Sequence, residues 1–253
     1  SLPLVVNSLA WWVNNASDRY ILTYFCGTAI NGIYAVAYKI PTILSTVQSV
    51  FYNAWSISAI TEFDKDDKDR FIGNVYTMYS SVSYLGCTIL LIFNIFIATI
   101  LYSNGFFIAW KYVPFLLVGT VFNGIALFEG CIFTAVKKTK DVSITTIMGT
   151  LVNTLLNFIL IPVIGATGAA FATMVGYSSI WIVRTFQLRK IVRLKVDWRV
   201  QIESSILLIV QAILAMTDQF YWIQVIPACI LLMIQRNTVF KVVKVICLKL
   251  YKR

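Results

Sequence analysis

The chain contains no histidine, few charges and no paired cysteine motif. Imidazole acid–base or metal chemistry therefore has no source in these 253 residues. The five cysteines, Cys26, Cys87, Cys131, Cys229 and Cys247, show no CxxC spacing. Four lie in apolar runs and read as small buried hydrophobes, with the fifth in the tail. Charged residues make up 13% of the chain and apolar ones 59%. No water-soluble domain covers that much apolar surface. The dyad alternation of barrel strands is missing too. What stands in its place is a set of long apolar runs, such as 85–101 and 206–216.

A helix needs about 20 mostly apolar residues to cross a hydrocarbon core roughly 30 Å thick. A backbone in lipid must bond to itself, which helices do. The fold class is therefore all-α: a polytopic integral membrane helical bundle of about eight transmembrane helices. The spans are read at 2–16 with an extension to 25, 32–61, 72–101, 112–135, 142–161, 167–186, 202–216 and 221–234. The densely charged stretch from Glu62 to Arg70 is a loop between spans. The chain opens Ser-Leu-Pro with no signal-peptide pattern, which reads as the C-terminal part of a longer protein.

Lysine and arginine number 21 against 11 acids. That excess clusters at span ends rather than on a nucleic-acid face. After the second, fourth, sixth and eighth spans fall 18 of the 21, Arg184 among them. By the positive-inside rule those ends are cytoplasmic, as are both ends of the chain. The tail 238–253 places Val239, Phe240, Val243 and Ile246 on one helical face and lysines on the other, a basic amphipathic cytoplasmic helix.

Ionisable groups within spans are costly and so point to function. Asp18 and Arg19 end the first run, Lys39 lies near the start of the second and Glu129 sits in the cytoplasmic half of the fourth. Glu129 is expected to reach the inner interface or pair with Lys137. Asn153 and Asn157, four residues apart, share a helix face and read as interhelical glue. Gly168, Ala172 and Gly176 repeat every four residues and read as a close-packing stripe.

Three stretches carry a resemblance. The first is Leu2-Pro3, Trp12 and Ser17-Asp18-Arg19-Tyr20-Ile21-Leu22. The second is Gly32-Ile33-Tyr34-Ala35-Val36-Ala37-Tyr38-Lys39-Ile40-Pro41, continuing to Phe51, Ala54-Trp55 and Glu62. The third is Asn153, Leu156-Asn157, Leu160-Ile161-Pro162, Gly165 and Gly168-Ala169-Ala170-Phe171-Ala172-Thr173. In order and spacing they resemble the polysaccharide (O-antigen and capsule repeat-unit) flippases of the multidrug/oligosaccharidyl-lipid/polysaccharide exporter superfamily. The resemblance implies two six-helix lobes, this chain being the second lobe (1–190) plus two additional C-terminal helices (191–237) and the tail. It implies an alternating-access transporter rather than an enzyme, without a cofactor, in the bacterial cytoplasmic membrane. The implied cargo is an undecaprenyl-diphosphate-linked oligosaccharide. The implied partners are membrane lipid, the missing N-terminal lobe and polysaccharide polymerase machinery, with no nucleic acid. Arg19 and Lys39 are the implied contacts for the anionic head. Asp18 is implied to orient Arg19 or take part in ion coupling. Asn15, Trp12 and Trp55 are implied cavity residues, and Glu129 and Glu62 coupling or gate residues.

Two other functions compete. A cation-coupled multidrug antiporter of the same superfamily favours an acidic cavity, which Arg19 and Lys39 oppose. A membrane polysaccharide polymerase or glycosyltransferase needs large outer loops or paired acids, and neither is seen.

Overall fold

The computed structural model describes residues 2–61, 71–192, 194–217 and 221–236, all of them helical or in short connections. Glu62, the charged loop and the amphipathic tail lie outside the described residues, as does the side chain of Asn15. The elements are α1 (Leu2–Ala37), α2 (Lys39–Thr61), α3 (Phe71–Ile92), α4 (Asn94–Leu101), a 3-10 segment (Asn104–Lys111), α5 (Val113–Ala135), α6 (Thr139–Ile164), α7 (Ala166–Ile191) and α8 (Trp198–Ala215). The last, α9 (Tyr221–Arg236), opens with a 3-10 turn.

The stretch 7–56 and the helices α3, α5, α6, α7 and α8 are long and apolar enough to cross a membrane, and α9 is shorter. The first stretch counts as two crossings, because α1 is broken at Gly27 (φ 83°, ψ 168°) and parted from α2 at Tyr38. That backbone region is essentially restricted to glycine. Seven crossings result among the described residues, with the shorter α9 as the candidate for an eighth, and the first turnaround is spread over residues 27–38 rather than a loop before Gly32.

Other boundaries also move. Pro162 does not end α6, which runs on to Ile164 and stops at Gly165, whose φ is 58°. Pro41 and Pro114 fall in first turns, where no intrahelical donor is needed. The third span divides at Phe93 into α3 and α4.

The centre of the bundle is α5. Its residues from Val113 to Phe133 are buried at nearly every position, so nearly every face of it is covered by other helices. Around it, helices far apart in sequence run parallel. Gln48 and Trp55 of α2 meet Gly124 and Phe128 of α5 in the same order. Phe115, Phe122 and Glu129 of α5 meet Phe171, Trp181 and Thr185 of α7. Asn7, Ala10 and Asp18 of α1 meet Thr146, Thr150 and Asn157 of α6. The antiparallel pair α6 and α7 is packed most closely. A Cβ on Gly176 would lie 2.8 Å from Asn153 Cβ, and one on Gly149 2.2 Å from Ile180 Cγ1. The small-residue stripe thus presses on α6, where Gly149 supplies the matching gap.

Candidate functional site in the bundle

Two polar clusters built on buried carboxyl groups occupy this bundle, at different depths. The first is built on Asp18. Its side chain is 1% exposed and faces α6 and α7. Asn157 Nδ2 donates to Oδ1 at 2.5 Å and Thr173 Oγ1 to Oδ2 at 2.6 Å. Asn157 Nδ2 also reaches Asn153 Oδ1 at 3.2 Å, and Ser17 Oγ donates to the same oxygen at 3.5 Å. The asparagine pair is therefore glue of a particular kind, fastening a carboxyl group between three helices. Asn157 Oδ1 is buried without a hydrogen-bond partner. One carboxylate among neutral amide and hydroxyl oxygens suits a proton or a hard cation, not a thiolate- or imidazole-loving metal. Among the described residues no cluster of three acidic or cysteine side chains is suited to a metal.

Asp18 does not orient Arg19. Adjacent helical residues point to different sides, and the two separate accordingly. Arg19 is exposed, with its guanidinium carbon 6.0 Å from the centroid of the Tyr38 ring. Lys39, the next residue after Tyr38, is exposed too. Of the two cations sought in sequence, Arg19 thus lies by Tyr38 at the α1–α2 break, and Lys39 follows that tyrosine in the chain. Tyr38 itself is held by Tyr34, hydroxyl to hydroxyl at 3.3 Å with the rings edge to face.

The tryptophans divide. Trp12 is 62% exposed, while its neighbour Trp11 packs on Tyr177. Trp55 is buried and stacks on Phe128 at 4.6 Å, within the aromatic core that includes Tyr76 and Tyr79.

The second cluster lies towards the lysine-rich end. Glu129 is fully buried, not at the interface with Lys137 as expected. Thr185 Oγ1 donates to its Oε1 at 2.7 Å and Tyr76 OH at 3.2 Å, with Trp181 Nε1 donating to Tyr76 OH at 3.4 Å. Glu129 lies off the one less buried stripe of α5, that of Thr120, Asn123 and Leu127, and so points into the bundle.

Beside it is Arg184, which the charge count assigned to a cytoplasmic end. It is 1% exposed. Its guanidinium donates to Thr145 Oγ1 at 3.0 Å, Ala126 O at 2.7 Å, Val142 O at 3.1 Å and Thr146 Oγ1 at 2.8 Å. The next cation on α7 is Arg189, in the last turn of the helix and more than a turn further on. The adjacent hydroxyls Thr145 and Thr146 were the signal available in sequence for an interior guanidinium.

With this geometry in hand, the architecture can be compared. The bundle is similar to the lipid II flippase MurJ in its inward closed conformation, with TM-score 0.65, over 96% of this chain and 53% of that one, at 17% sequence identity. The chain has a MurJ-like fold. It spans about half the length of that protein. No family profile and no curated protein matches the sequence. Within this MurJ-like fold, the Asp18 cluster belongs to the half of the bundle nearer Gly27 and Gly165, and the Glu129–Arg184 cluster to the half nearer Lys137 and Arg189.

Proposed function

We propose that this chain is the C-terminal part of a membrane flippase that moves undecaprenyl-diphosphate-linked oligosaccharide repeat units across the bacterial cytoplasmic membrane for surface polysaccharide synthesis. In this reading residues 1–190 are the second lobe and 191–237 two additional helices. The observation that carries it is that Arg19 of α1 and Lys39 of α2 are both exposed, with Arg19 set by the Tyr38 ring at the α1–α2 break. Cations in a span are costly unless a counter-charge meets them. A diphosphate head supplies that charge, and guanidinium recognises it by paired hydrogen bonds. The MurJ-like fold supports transport of a lipid-linked cargo, since that neighbour is named for flipping lipid II. Asp18, held by neutral donors at a three-helix junction, is the coupling group in this scheme.

Arg19→Ala and Lys39→Ala in the complete protein are expected to lower surface polysaccharide several-fold at unchanged membrane abundance, read by immunoblot of both. Normal polysaccharide from both variants would overturn the assignment. Deletion of the gene is expected to leave drug sensitivity unchanged, which separates this role from a multidrug antiporter.

A further inference from the structure

Away from both clusters, α7 and α8 part beyond their connection at 192–197 and leave a groove of about 340 Å³. Phe122 of α5 lies in it. Ile182 and Phe186 line it from α7, and Ile202, Ile206 and Ile209 from α8. The two hydroxyls that border it are turned to other partners. Thr185 donates to Glu129, and Ser205 bonds Tyr84 OH at 3.0 Å and Gln201 O at 2.8 Å. The groove therefore presents hydrocarbon along its length. From Trp198 to Ile209 along α8 is ~16 Å at 1.5 Å per residue. That is close to half of a hydrocarbon core about 30 Å thick, the depth of one leaflet.

One end of the groove is charged. Arg189 lines it there, with its guanidinium 5.1 Å from the Trp198 ring, and Lys190 beside it is exposed. The acids nearby are engaged. Glu203 pairs with Arg199 at 2.6 Å, and Asp197 accepts from the amides of Arg199 and Val200 at the start of α8. An aromatic ring under a cation at the end of a span is the setting of the headgroup layer.

We propose that this groove is a binding site for an anionic phospholipid of one leaflet, an acyl chain lying between α7 and α8 and its phosphate on Arg189. A planar guanidinium grips a phosphodiester through two parallel hydrogen bonds. The positive rim selects a net negative headgroup over a zwitterionic one. A groove one leaflet deep fits a common acyl chain better than a long isoprenoid.

The test is native mass spectrometry of the detergent-purified chain with phosphatidylglycerol, phosphatidylethanolamine of the same acyl chains, and an isoprenyl phosphate, each added alone. Phosphatidylglycerol is expected to bind best. Arg189→Ala is expected to weaken it about fivefold, the scale of one basic residue at a membrane surface. Ile206→Trp, which fills the groove, is expected to remove it. Both side chains are exposed, so neither change touches the core. Equal binding of the two phospholipids, or a stronger isoprenyl phosphate, would overturn the occupant. Loss with Arg189→Ala but not with Ile206→Trp would mean surface adsorption and would overturn the groove.

Discussion

A guanidinium with four protein acceptors and almost no exposure to solvent is a rare thing inside a membrane bundle, and Arg184 has that position. Its acceptors come from α5 and α6, while it belongs to α7. It thus joins three helices by hydrogen bonds that spread over a plane. Lysine carries its donors on one point and does not reproduce that spread. We predict that Arg184→Met lowers stability by roughly 3 kcal/mol, the scale of hydrogen bonds to a charged group. Arg184→Lys should recover less than half of the loss. Denaturation of the purified protein in detergent measures both, and an unchanged midpoint for Arg184→Met would refute the joining role. This residue also marks where sequence reading failed. The positive-inside rule treats every cation near a span end alike. Depth within the helix and the hydroxyls opposite decide between a loop charge and an interior one. Arg19 and Lys39, in contrast, were singled out as costly span residues, and the fold leaves both exposed, Arg19 beside Tyr38. Asp18 was singled out as well, but its partners were read as separate packing amides. The parallel alignment of α1 with α6 that unites them is a long-range fact, with no local trace in either segment.

Helix boundaries show the same division between local and long-range causes. Apolar length gave the crossings, because lipid requires it at every span. It did not give the break at Gly27, since the residues on both sides are apolar enough to continue a helix. There the decisive property is the absence of a side chain. A Cβ at Gly27 would meet nothing within 4 Å, so substitution is opposed by backbone conformation alone. Gly27→Ala is therefore predicted to cost about 1–3 kcal/mol despite the open space. Gly105→Ala, equally uncrowded and without a positive φ, is expected to be neutral. The comparison is read in the same detergent denaturation assay. Equal stability of the two variants would show that the α1 break does not depend on Gly27. At α6 the error was of another sort. Pro162 reads as a stop, yet it removes only the one donor that would meet the Phe158 carbonyl, and Gly165 provides the real stop.

Across the whole molecule, alternation of helix direction places Lys111 and Lys138 at opposite ends of α5. Lys111→Cys and Lys138→Cys, each in a background without the native cysteines, should react with a membrane-impermeant maleimide from opposite sides. In intact cells Lys111→Cys is expected to label and Lys138→Cys only after permeabilisation. Labelling of both from outside would invalidate this topology. The parallel pairing of α1 with α6 also has a bearing on how the protein is made. The amide that binds Asp18 lies 139 residues further along the chain. At a synthesis rate of about 5–20 residues per second, that amide emerges roughly 7–28 s later. During that interval the carboxyl group of α1 is without its α6 and α7 partners. The first helix of this segment to leave the ribosome is thus among the last to reach its final neighbours.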